Sequence, residues 1–146
     1  MKDDKRSVQI IVQVTQSFTT QPSTTQQTET EGFAYQRGSS YYLRYSEVGE
    51  SMAGVTTTLK LNSQEITLLR HGNVRSEQRF RLMKTCLGTY QTAEGSLRLE
   101  TFTHQLEHHL DEWGVGRIGW SYQLKVSEMD AGEFAINIEV QEARQP

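Results

Sequence analysis

The string Leu68-Leu69-Arg70-His71-Gly72-Asn73-Val74 carries the residue types of a phosphoryl-transfer site. A histidine can accept a phosphoryl group while a neighbouring arginine holds its oxygens. The context argues otherwise: such a motif should end the first strand of an α/β domain, and here it follows nearly half a chain of β pattern. It reads as a strand end and a turn. His104, His108 and His109 raise the question of a metal. On a strand, His104 and His108 share a face but stand about 13 Å apart at about 3.3 Å per residue, too far for one ion with bonds of about 2 Å. On a helix they would be neighbours, yet no cysteine or acidic pair at metal spacing completes the set. No metal and no cofactor is expected. Cys86 is flanked by Lys84, but a lone cysteine reads as a small buried hydrophobe. Without a phosphate-cradling glycine loop or a nucleophile–base pair, no catalytic residue is assigned, and a non-enzymatic role is the expected one.

A second constellation is electrostatic. Arg70, Arg75, Arg79, Arg81 and Lys84 lie close together, opposed only by Glu77. As a strand, Arg75, Glu77, Arg79 and Arg81 share one face, with Phe80 and Leu82 on the other. Arg70, His71, Arg75, Arg79 and Arg81 are therefore candidates for binding an anion or a partner, either protein or RNA, through a basic strand pair over 70–84, a homodimer being one such arrangement. The bland alternative is a solvated outer face with cross-strand ion pairs. Tyr41, Tyr42, Arg44 and Tyr45 mix rings with a cation, as a base-stacking platform does, although barrel packing also explains alternate tyrosines. A net charge of −3 argues against a nucleic-acid partner.

The elements that must position these residues follow a period of two. Val8, Ile10, Val12 and Val14 alternate with Gln9, Ile11 and Gln13; Ile118, Trp120, Tyr122, Leu124 and Val126 alternate with Gly119, Ser121, Gln123 and Lys125; Phe134, Ile136, Ile138 and Val140 alternate with Ala135, Asn137 and Glu139. Strands put successive side chains on opposite faces, so each segment has one apolar and one polar side. Weaker copies run through 33–35, 41–45, 55–61, 65–70, 76–82, 85–92 and 96–103. Gly38-Ser39-Ser40, Asn62-Ser63, His71-Gly72-Asn73, Ala93-Glu94-Gly95 and Asp130-Ala131-Gly132 read as the turns between them.

The expected architecture is all-β: a single antiparallel up-and-down barrel of about eight to ten strands, because closure removes the exposed edges an open sheet would keep. The 146 residues make one domain, with 1–6 and 142–146 as tails and the polar stretch 19–28 as a mobile loop or frayed strand end. Residues 104–113 fit either a helix, with Leu106 and Leu110 spaced by four and Gly114 as its stop, or a strand through about residue 109; the strand is favoured. One cysteine, no leader-like apolar segment and no spanning run point to the cytoplasm and away from a membrane.

The strings YYLRYSE, TTLKLNSQEITLLRHGNVRSEQRF, GTYQTAEGSLRLETFTH and YQLKV, closed by AINIEV, resemble the YwiB-like bacterial proteins, a family of unknown function (DUF1934). The likeness runs from about Val8 to Val140. It implies a calycin-like β-barrel, related in shape to lipocalins, and supplies no substrate and no catalytic residues. A barrel of this kind can hold one small ligand, and the expected role is binding a small apolar or amphipathic molecule inside it. Tyr35, Tyr45, Phe80, Tyr90, Phe102, His104, Trp120 and Tyr122 are the expected lining, with His104 as a polar anchor. The same rings could equally fill the core.

Overall fold

The computed structural model describes residues 5–49 and 52–143. Ten strands follow one another: β1 (Arg6–Phe18), β2 (Gln21–Arg37), β3 (Ser40–Ser46), β4 (Thr56–Leu61), β5 (Glu65–His71), β6 (Arg75–Arg81), β7 (Thr85–Thr92), β8 (Gly95–Leu110), β9 (Gly116–Val126) and β10 (Met129–Glu142). Each pairs antiparallel with its neighbours in sequence, and β10 returns to β1 to close the barrel. This is the up-and-down closed sheet that the alternation predicts. No helix of the described residues is long and apolar enough to cross a membrane.

Three expectations need correction. The polar stretch 19–28 is not a loop: from Gln21 onward it is β2, in register with β1 from Thr24 opposite Gln16 to Thr28 opposite Val12. Its Thr and Gln side chains look like linker because they are exposed, but threonine suits a strand and the backbone is satisfied by β1. Asp130-Ala131-Gly132 is not the β9–β10 turn. That turn is Ser127-Glu128, both at positive φ between the paired Val126 and Met129, while 130–132 form a bulge where the register shifts and Gly132 has φ +95°. Finally, the tails are shorter than expected: Arg6 begins β1 and Glu142 ends β10, and their side chains meet at 3.2 Å. Residues 1–4 and 144–146 of those tails lie outside the described residues.

Residues 104–110 continue β8 as a strand, with a register shift between Thr103 and Gln105. Before the shift Leu99, Thr101 and Thr103 are the buried positions; after it Leu106 and Leu110 pack against the core. The extra residue re-aims every side chain beyond it.

One end of the barrel is filled. Val8, Ile10, Leu43, Leu59, Leu61, Ile66, Phe80, Ile118 and Val140 are each at most 2% exposed and form the core. Polar groups seal that end. Asn62 Oδ1 accepts from the backbone N–H groups of Gln64 and Glu65 at 3.1 and 3.0 Å, making the β4–β5 turn. His108 Nε2 donates to the Asn62 carbonyl at 2.9 Å and ties β8 to that turn. The β8–β9 loop is held by Asp111, whose carboxylate accepts from Trp113 and Val115 N–H.

Candidate functional site

The inward side of the other end is also apolar, but it is not filled. Val12, Val14, Leu68, Leu99, Leu124, Val126, Phe134, Ile136 and Ile138 line a cavity of about 500 Å³ inside the barrel. Its floor is aromatic. Trp120 and Tyr122 both line it, and Phe80 beneath packs against them at ring-centroid distances of 5.4 and 4.6 Å. Tyr122 stacks in turn on Phe134 at 5.5 Å. Val48 and Leu97 border the cavity and are each 44% exposed, so it opens to solvent there. One side wall is incomplete: β2 pairs with β3 only from Gly32 to Arg37. Beyond Thr30, whose hydroxyl donates to the Ser46 carbonyl at 2.9 Å, Gln26 and Thr28 face the cavity across from the β3–β4 loop that carries Val48 and Met52.

Among the described residues, the cavity has one charged spot. Arg70 Nε lies 3.5 Å from Glu47 Oε2, and both side chains are largely buried, at 23% and 16% exposed. The Thr57 hydroxyl donates to the same carboxylate. A pair sheltered like this survives because each charge has a partner. Two phenols stand nearby. Burial pushes the Tyr45 hydroxyl well above its usual range; the Glu47 charge adds to this and Arg70 opposes it. Burial likewise raises Tyr122 to about 12, again opposed by Arg70. Both hydroxyls therefore keep their protons at neutral pH and can donate. Among the described residues, Trp120 Nε1–H, buried in the floor, has no hydrogen-bond partner, and neither does the buried Thr103 hydroxyl.

Of the expected lining, Tyr45, Tyr90, Trp120 and Tyr122 border the cavity, and Phe80 lies directly under its floor. The other three do not. Tyr35 is on the outer surface, because the neighbouring inward position of β2 is the buried Ala34; it stacks on Tyr42 at 5.0 Å. Phe102 alternates with the buried Thr101 and Thr103 and so faces outward. His104 sits at the β8 register shift, with Nε2 against the Glu133 carboxylate on the outside. None of the three could be placed without knowing the inward parity of its strand and the position of the bulge.

The basic cluster is also divided. Arg70 is inside, on the same face of β5 as Ile66 and Leu68. Arg75, Arg79 and Arg81 are exposed on the outer face of β6, while Ser76, Gln78 and Phe80 are buried between them. His71 is exposed at the end of β5. Arg79 pairs with Glu77 at 3.6 Å and Arg81 with Glu65 at 3.4 Å. Among the described residues, no group of three His, Cys, Asp or Glu side chains is arranged to hold a metal.

The family model for a domain of unknown function (DUF1934) matches residues 10–138. An uncharacterised β-barrel protein of Bacillus subtilis strain 168, YwiB, is 32% identical over 99 residues, 68% of each chain. The crystal structure of the B. subtilis ywiB protein superposes with a TM-score of 0.84 at 23% identity, covering 96% of this chain and 94% of that one. The shared spatial arrangement thus extends well past the stretch of recognisable identity. The chain belongs to the DUF1934 family of YwiB-like β-barrel proteins.

Proposed function

We propose that this barrel is a non-catalytic, cytoplasmic carrier or sensor that holds a small amphipathic molecule in its open half. The observation that carries the reading is the unfilled interior. Natural cores are packed to the density of organic crystals, and a void of about 500 Å³ among valines, leucines and isoleucines forgoes burial that larger side chains would supply. Cavities of roughly 300–1,000 Å³ lined by apolar groups with a few placed polar ones are the usual form of a small-molecule site. Here the polar groups are the Arg70–Glu47 pair, the Tyr45 and Tyr122 hydroxyls and Gln78. The ligand accordingly has an apolar body and a polar head that accepts hydrogen bonds. A single half-buried cysteine fits a reducing compartment.

Titration with the fluorescent amphiphile anilinonaphthalene sulfonate tests this. Saturable binding of one probe per chain is expected. Ile136→Trp, which fills the cavity from its wall, should abolish it, and Arg70→Met should weaken it. Non-saturable binding, or equal binding by the folded Ile136→Trp variant, would overturn the reading.

A further inference from the structure

The chain's net charge conceals two opposed faces. From the start of β2, residues 21–91 contain eight Lys and Arg against six Asp and Glu, whereas residues 92–143 contain three against ten. Because the strands run round the barrel in sequence order, this bias in sequence becomes a bias in space. We infer that the outer face of β2–β6 is a binding surface for single-stranded nucleic acid, independent of the internal cavity.

Two cross-strand rows make up this face. In the first, Tyr35 is opposite Tyr42, Tyr42 opposite Lys60, Lys60 opposite Thr67 and Thr67 opposite Arg79. The two rings are parallel within 4°. Lys5 and Arg37 lie over Tyr35, and Lys60 lies over Tyr42, at 5.6, 5.4 and 5.9 Å from the ring centroids. This ladder fixes the cations in place by attraction to the ring faces. In the second row, Phe33 is opposite Arg44. Arg44 is exposed, and so is Phe33, at 47%. Five strands at about 4.8 Å make a platform roughly 19 Å wide, and alternate residues along each strand recur every 6–7 Å or so.

Charge complementarity selects a polyanion. Arg37, Arg44, Lys60 and Arg75 are exposed, and none forms an ion pair among the described residues. Glu65 and Glu77 offset only Arg81 and Arg79; Glu29 and Glu31 share the outer face of β2 with Phe33 and bound the basic patch on the side of the open end. The ring selects among polyanions. An unpaired base can stack on an exposed aromatic between cations, which the paired bases of a duplex cannot do. An anionic membrane would need more exposed apolar surface than one phenylalanine.

Fluorescence anisotropy with a labelled oligouridine of about twelve nucleotides, within the usual 4–16 nucleotide span of such sites, and with a duplex of equal length, tests the inference on the full chain. Binding should weaken as salt rises, since released counterions drive it. Arg44→Glu combined with Lys60→Glu should weaken it at least about tenfold and flatten the salt slope by about two. Phe33→Ala should weaken the single strand several-fold or more and leave the duplex unchanged. Lys125→Glu, on the acidic side, should have no such effect. All these sites are exposed, and an unchanged melting temperature confirms that each variant is folded. No binding at low salt, or binding indifferent to the double reversal, overturns the inference. Equal affinity for duplex with no effect of Phe33→Ala also overturns it, leaving only attraction to phosphate.

Discussion

The two ends of the barrel are built from the same kinds of strand and packed differently. At the end sealed by Asn62, His108 and Asp111, inward positions hold Leu59, Leu61, Ile66, Ile118 and Phe80, which meet across the axis and exclude solvent. At the other end, inward positions hold Val12, Val14, Leu124, Val126 and Ile136, which border a void of about 500 Å³. Residue size alone does not separate the two. At the open end β1, β2, β9 and β10 extend beyond β3 and β4: β2 from Gln21 to Glu31 has β1 on one side and no ladder on the other. A wall without its opposite wall cannot bring side chains into contact. Stability therefore resides at one end, and the unfilled volume lies at the other.

Breaking the filled end should have the largest effect. Phe80→Ala removes a fully buried ring that supports both Trp120 and Tyr122, and denaturant unfolding should show a loss of about 3–5 kcal/mol. Alkaline pH attacks the boundary between the ends. Tyr122 ionises near pH 12 when folded and near pH 10 when unfolded. The folded state thus holds its proton more tightly, and the stability this confers is complete below about pH 10 and lost as pH climbs to about 12. Tyr45 is shifted further in the same direction and adds to the loss. Tyr122→Phe should flatten the fall in stability over that window by about 2 kcal/mol; an unchanged profile would show that the phenol is hydrated.

Smaller effects sharpen the contrast. Gly72 holds φ +125°, and a Cβ there would lie 2.1 Å from the Gly54 carbonyl oxygen in the β3–β4 loop. Gly72→Ala should cost about 1–3 kcal/mol and displace the rim that carries Val48 and Met52, weakening probe binding as well as stability. Val126→Ala at the open end should cost less than about 1.5 kcal/mol, the low end of core truncations, because the methyls it removes already face a void. Arg79→Ala on the outer face should stay within about 0.5 kcal/mol of wild type in thermal unfolding.

The strands were legible because one wet and one oily face leave an unmistakable rhythm in segments such as Ile118–Val126 and Phe134–Val140. The inward orientation of side chains was legible where that rhythm alone decided it, as for Tyr45, Trp120 and Tyr122. The rhythm failed where orientation depended on something nonlocal. Nothing near His104 announces the bulge that re-aims β8. Arg70 reads as surface because it is charged, yet its partner Glu47 lies 23 residues away in sequence. Val48, on the β3–β4 loop, and Leu97, on β8, reach the same rim only through the register of the sheet. The basic face was hidden for a related reason: Arg37, Arg44 and Lys60 stand on three strands, and only cross-strand pairing sets them beside Arg79 and Phe33. A summed charge carries no such information.

Native mass spectrometry of the protein purified from its own cells under mild conditions tests the central claim most directly. A cavity built for an amphipathic guest predicts a species heavier than the bare chain by the mass of one small molecule, released on denaturation and absent from the Ile136→Trp variant. Only the bare mass in the wild-type protein, or the same added mass in both proteins, would contradict it.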